Sequence, residues 1–164
     1  MPFCSENAIL YAIKALHDLL YNVSLFPAAI FEVAINTATD VMNFTENQVV
    51  LQYVSSILFI ATSQENCRKR RLVTRIIKSL PKLLSSPDNL TQFFAISASG
   101  NIFFKSLSEN PEQLAVLLRK FIHAGFSIGD STATQGLATA LAMLSQENQV
   151  IFGIRALNFF LCFT

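Results

Sequence analysis

Apolar positions along the chain fall in long blocks with helical spacing, and the blocks return at a regular interval. Three times an apolar block runs into an acidic residue followed by Asn: Glu65-Asn66, Glu109-Asn110 and Glu147-Asn148, 44 and 38 residues apart. The blocks themselves open near Ser5, Glu46, Asp88 and Asp130. A recurrence of about 40 residues in a helical chain is the signature of stacked helical repeats.

Within the blocks the expected elements are helices. Ile9, Ala12, Ile13, Leu16, Leu19, Leu20 and Val23 recur with helical periodicity, and Pro27 permits a second helix over 28–41. Thr45, with Gln48 as its capping-box partner, is expected to start a third helix that ends near Gln64. A fourth carries Leu72, Val73, Ile76, Ile77 and Leu80 inward until Pro81 ends or kinks it, with a short turn through Leu84. Ser86-Pro87-Asp88 then reads as a cap followed by Pro at the first helical position, opening a helix to about Leu107. Asn110-Pro111-Glu112-Gln113 repeats that signal, Gly125 stops the helix it opens, and two more helices follow from Asp130 and Glu147. Short apolar runs such as Val49-Val50-Leu51 lie inside segments too long for strands. Gly100, Gly136 and Gly153, inside helices, are read as close helix crossings.

Four helix pairs result. Hydrophobic residues make up 52% of the chain and charged residues 14%. So low a charge content fits helices covered by neighbours on more than one side. Such a stack exposes binding surface rather than a catalytic cleft.

Several motifs resemble armadillo repeats, with the HEAT family a near neighbour in architecture. They are Ser79-Leu80-Pro81, Ser86-Pro87-Asp88, Ala98-Ser99-Gly100-Asn101-Ile102 and Ser108-Glu109-Asn110-Pro111-Glu112-Gln113. The match is best across residues 46–145. The resemblance implies an all-α, right-handed α-solenoid of about four armadillo-like repeats. It would span residues 1–164 as a single domain. The apolar, uncapped ending separately leads to the expectation of a fragment or short isoform of a longer helical-repeat protein, or of an edge covered by another chain. The resemblance also implies a non-catalytic scaffold for protein partners, with Asn101 as a partner-binding residue. The sequence departs from the family's peptide-binding pattern: Ile57 and Thr139 stand where neighbouring repeats would repeat Asn101, and there is no Trp.

Charge is distributed unevenly. The net charge is +1, yet residues 1–46 carry −4 and residues 67–82 carry +7. Arg68, Arg71, Arg75 and Lys78 form one helical stripe, with Lys82 set beyond Pro81. The stripe suits an acidic or phosphorylated protein segment, and nucleic-acid binding through the 68–82 helix is the alternative. Arg68-Lys69-Arg70-Arg71 also fits a nuclear import signal, and a plain solvated face is the bland reading.

Nothing in the sequence carries recognisable catalytic, cofactor or metal chemistry. His17 and Asp18 are adjacent, and adjacent helical positions are expected to point apart. Cys4, Cys67 and Cys162 have neither metal-site nor disulfide spacing, which favours reduced thiols in a cytoplasmic or nuclear setting. A multi-span membrane protein is the remaining alternative, because residues 47–64 and 89–104 carry no formal charge, although polar residues dilute both. The apolar ending, Phe159-Phe160-Leu161-Cys162-Phe163-Thr164, is expected to form an edge that pairs with another chain.

Overall fold

The computed structural model describes residues 5–22, 27–64, 70–104, 116–117 and 119–124. These form five helices: α1 (Glu6–Asn22), α2 (Ala28–Met42), α3 (Gln48–Ser63), α4 (Arg70–Leu84) and α5 (Asn89–Phe104). Residues 116–117 and 119–124 are also helical, and no strand occurs among the described residues. The described chain is all-α.

α3 and α5 start where the chain offers a side-chain acceptor, whereas α2 follows Pro27 with no side-chain cap. Asn47 caps α3 by accepting from the amides of Val49 and Val50. Thr45, expected as the cap, sits two residues earlier and accepts from the Asn47 amide instead. At α5 the cap is Asp88, whose carboxylate accepts from the amide and hydroxyl of Thr91. Ser86, the expected cap, accepts from the Asp88 amide and donates to Gln48. In both places the expected cap orders the turn, and the residue nearest the helix terminates the orphan amides.

Pro81 does not end α4, which continues through it to Leu84. An interior Pro costs about 3 kcal/mol. The turn beyond it buries Leu83 and Leu84, each contributing about 1.5–3 kcal/mol, and both are almost fully inaccessible. The buried leucines therefore offset the lost backbone bond.

α3 is the centre of the arrangement. It packs most extensively against α5 and α1, and it also touches α2 and α4. α1 and α5 lie on either side of it and do not touch each other, while α4 packs on α2 and α5. The core is continuous through all five helices, from Ile13 and Leu20 through Phe31, Ile35, Val54, Ile57 and Leu58 to Leu80 and Ile102. Residues 117, 121 and 124 join it.

Side-chain hydrogen bonds tie distant parts of the chain together. His17–Ser56, Arg75–Thr39, Lys82–Met42, Ser86–Gln48, Asn101–Thr62 and Lys120–Ser85 link residues 35–40 positions apart. These separations overlap the lower end of the 38–44-residue spacing of the sequence motif.

No helix among the described residues is long and apolar enough to cross a membrane. The charge-free stretches 47–64 and 89–104 are the neighbouring helices α3 and α5, each largely buried by the others.

Gly100 is not at a close crossing. A Cβ added there would meet nothing within 4 Å, because the residue faces outward from α5. Gly100→Ala is therefore expected to stabilise the fold by about 0.4–1 kcal/mol through lost unfolded-state entropy. Thermal melting checks this, and a lower midpoint would show that the space is needed. Gly125, Gly136, Gly153 and the turn from Gly125 to Asp130 lie outside the described residues, as does the apolar ending.

Candidate functional site

α4 carries five cations and no acid: Arg70, Arg71, Arg75, Lys78 and Lys82. Its apolar positions, Leu72, Val73, Ile76, Ile77, Leu80, Leu83 and Leu84, all lie against the core, which turns the basic stripe outward. Because the helix continues through Pro81, Lys82 extends the stripe that Arg71, Arg75 and Lys78 begin. Arg68 and Lys69 lie outside the described residues.

The stripe divides into two functional halves. Arg75 turns toward α2, where its Nε donates to the Thr39 hydroxyl at 2.6 Å and its guanidinium pairs with Asp40. Lys82 donates to the Met42 carbonyl at 2.9 Å and pairs with Glu46 at 3.0 Å. The ammonium meets the last carbonyl of α2, where the helix dipole favours a cation. These two side chains join α4 to α2. Arg70, Arg71 and Lys78 are exposed and make no hydrogen bond or ion pair among the described residues. Arg119 and Lys120 are exposed as well, and Lys120 reaches Ser85 at the end of α4, which extends the basic surface past that helix.

The sequence motif identified the basic run but not this division. The signal for it was the acidic balance of residues 1–46: Asp40 and Glu46 supply the carboxylates that engage Arg75 and Lys82.

Asn101 sits half-buried on α5 and donates to the Thr62 hydroxyl at 3.3 Å. Thr62 is fully buried and itself donates to the Phe59 carbonyl. The Asn101 amide is therefore already engaged in joining α5 to α3. Around it lies an uncharged surface that the motif reading did not identify. Phe59 stacks on Phe94 with centroids 6.1 Å apart, and Phe94 meets Phe93 edge-on at 5.6 Å. All three rings are half-buried. The available sequence signal was the lack of charge in α3 and α5.

His17 and Asp18 do meet, contrary to the expectation that neighbouring helical positions point apart. His17 Nδ1 lies 3.1 Å from Asp18 Oδ1, and Nε2 lies 3.0 Å from Ser56 Oγ. Positions separated by about 100° still share a border of the helix, and the short Asp side chain reaches across it. The constellation has the order of an acid–base relay. Ser56, however, is buried in the middle of α3, where its backbone and its neighbours' amides serve the helix. An acyl-transfer site requires free donors for the oxyanion, and mid-helix amides are not free. The contacts instead fix α1 on α3, with the His17 ring also edge-on to Tyr53 at 5.3 Å.

Among the described residues no group of three or more His, Cys, Asp or Glu is placed to hold a metal ion. No family model matches the sequence, and a search of the curated proteins finds no match.

Proposed function

We propose that this protein is a non-catalytic scaffold for protein partners. In this reading the helices continue as a right-handed, armadillo-like stack of about four units, and the stack presents its surface to other chains. The recurrent separation of these hydrogen-bonded partners, 36–39 residues, supports the stack. The observation that carries the binding role is the set of three exposed, internally unmatched cations on α4: Arg70, Arg71 and Lys78. Their partner is an acidic or phosphorylated protein segment, whose carboxylates or phosphate form charge-assisted hydrogen bonds with guanidinium groups.

Arg71→Glu/Lys78→Glu is the test, because both side chains stand clear of the packing. A labelled acidic peptide and its phosphoserine counterpart are titrated against the whole chain. The double variant is expected to bind about tenfold more weakly, with helicity by circular dichroism unchanged. Equal binding by the parent and the variant would remove the stripe from the function. Preference for an oligonucleotide, with affinity falling steeply as salt rises, would point to nucleic acid instead.

A further inference from the structure

We infer that two copies of this chain pair through the face of α1 that points away from α3. That face consists of Ala8, Tyr11, Ala12, Ala15, Leu19 and Asn22, all exposed and none charged. α1 thus has two apolar faces: Ile9, Ile13, Leu16 and Leu20 pack into the core, and the second lies open to water. α2 also exposes Ile30 and Val33, the latter 62% exposed.

Internal register shows what kind of surface this is. α3 begins 42 residues after α1, and α5 begins 41 after α3. The counterparts of Ala8, Ala12, Ala15 and Leu19 are Val50, Val54, Ile57 and Ala61 in α3, then Thr91, Ala95, Ala98 and Ile102 in α5. All eight are buried. In α3 and α5 this face is therefore covered, and of these three helices α1 leaves it bare. The covering element that fits is another helix, and the small side chains of α1 let one approach closely.

Charge selects a second copy as that helix. Lys14 and Asp18 lie one turn apart along the same border of the open face, and both are exposed. Lys14 makes no hydrogen bond or ion pair among the described residues, and Asp18, which also meets His17, keeps its carboxylate 54% exposed. A twofold axis crossing α1 between these residues sets two α1 helices antiparallel. It brings each Lys14 opposite Asp18 of the second copy, and it seats each Leu19 between Ala12 and Ala15 of the second copy. The uncharged face between them meets its own image without repulsion. The basic surface of α4 would repel its own image. Asp40, an exposed carboxylate of α2, is already matched by Arg75.

Sedimentation velocity of the whole chain over a concentration series tests the pairing. A concentration-dependent dimer is expected, and Ala15→Arg shifts it to monomer with circular dichroism unchanged. Lys14→Asp and Asp18→Lys each weaken it several-fold, and the double charge swap restores it. Arg71→Glu/Lys78→Glu leaves it intact. A monomer at every concentration overturns the inference, as does a dimer indifferent to Ala15→Arg. Failure of the double swap to restore affinity overturns the antiparallel register. Loss of the dimer in Arg71→Glu/Lys78→Glu moves the interface to α4. The scaffold reading stands or falls separately, on peptide binding.

Discussion

Ile57→Ala is expected to remove about 2–5 kcal/mol of stability, the range for truncating a fully buried aliphatic side chain. Ile57 is inaccessible to solvent and lies midway along α3, the helix that touches all four others. The cavity it leaves cannot be filled by local fraying, because collapse on one side opens a gap on the other. Total stability of a domain is about 5–15 kcal/mol, so this one substitution takes a large share of it. Urea unfolding followed by circular dichroism measures the loss as a single shifted transition. Val49→Ala on the exposed side of the same helix provides the comparison, with an expected change within about 0.5 kcal/mol. Equal effects at the two positions would contradict the central placement of α3.

Arg75→Glu is expected to cost about 2 kcal/mol, whereas Arg71→Glu stays within about 0.5 kcal/mol. The Arg75 contribution is composite. Its pair with Asp40 is partly exposed, so solvent screening limits the attraction itself to about 1 kcal/mol or less. Reversal adds repulsion from Asp40 and removes the donor that reaches the buried Thr39 hydroxyl. Arg71 is exposed and has no such partner. Thermal melting of the two variants, with Asp40→Arg/Arg75→Glu as the restoring pair, reads the difference directly. Equal melting points would show that the α2–α4 link contributes nothing. The consequence for function is practical: a loss of binding in Arg75→Glu mixes packing with recognition, and only Arg71 and Lys78 separate them.

Helix positions were largely legible because they depend on local chemistry. Apolar residues at helical spacing, Pro27 before α2 and the polar turns at 45–47 and 86–88 all act within one or two turns of chain. The errors arose where a local rule met a distant partner. Pro81 is a local stop signal, yet Leu83 and Leu84 have core to bury against, so α4 continues. Gly100 in a helix suggests a tight crossing, yet α5 turns that position toward open space. His17 and Asp18 were read from helix spacing alone. Ser56, a ring contact from Tyr53 and the reach of a short carboxylate place them together.

The candidate surface was legible only in part, for the same reason. The cations of α4 are visible as a run of Arg and Lys, but nothing in that run tells Arg75 from Arg71. The distinction comes from Asp40 and Thr39, some 35 residues earlier, which α2 brings beside one edge of α4 and not the other.

Periodicity and turn residues were enough to specify an all-helical chain with helices at these positions, since each signal is satisfied within its own segment. Which faces are covered, which cations are consumed by the fold and which apolar stripe on α1 stays bare were decided by tertiary packing. Burial and charge pairing depend on neighbours in space, and those neighbours come from other helices, as Asp40 of α2 does for Arg75 of α4.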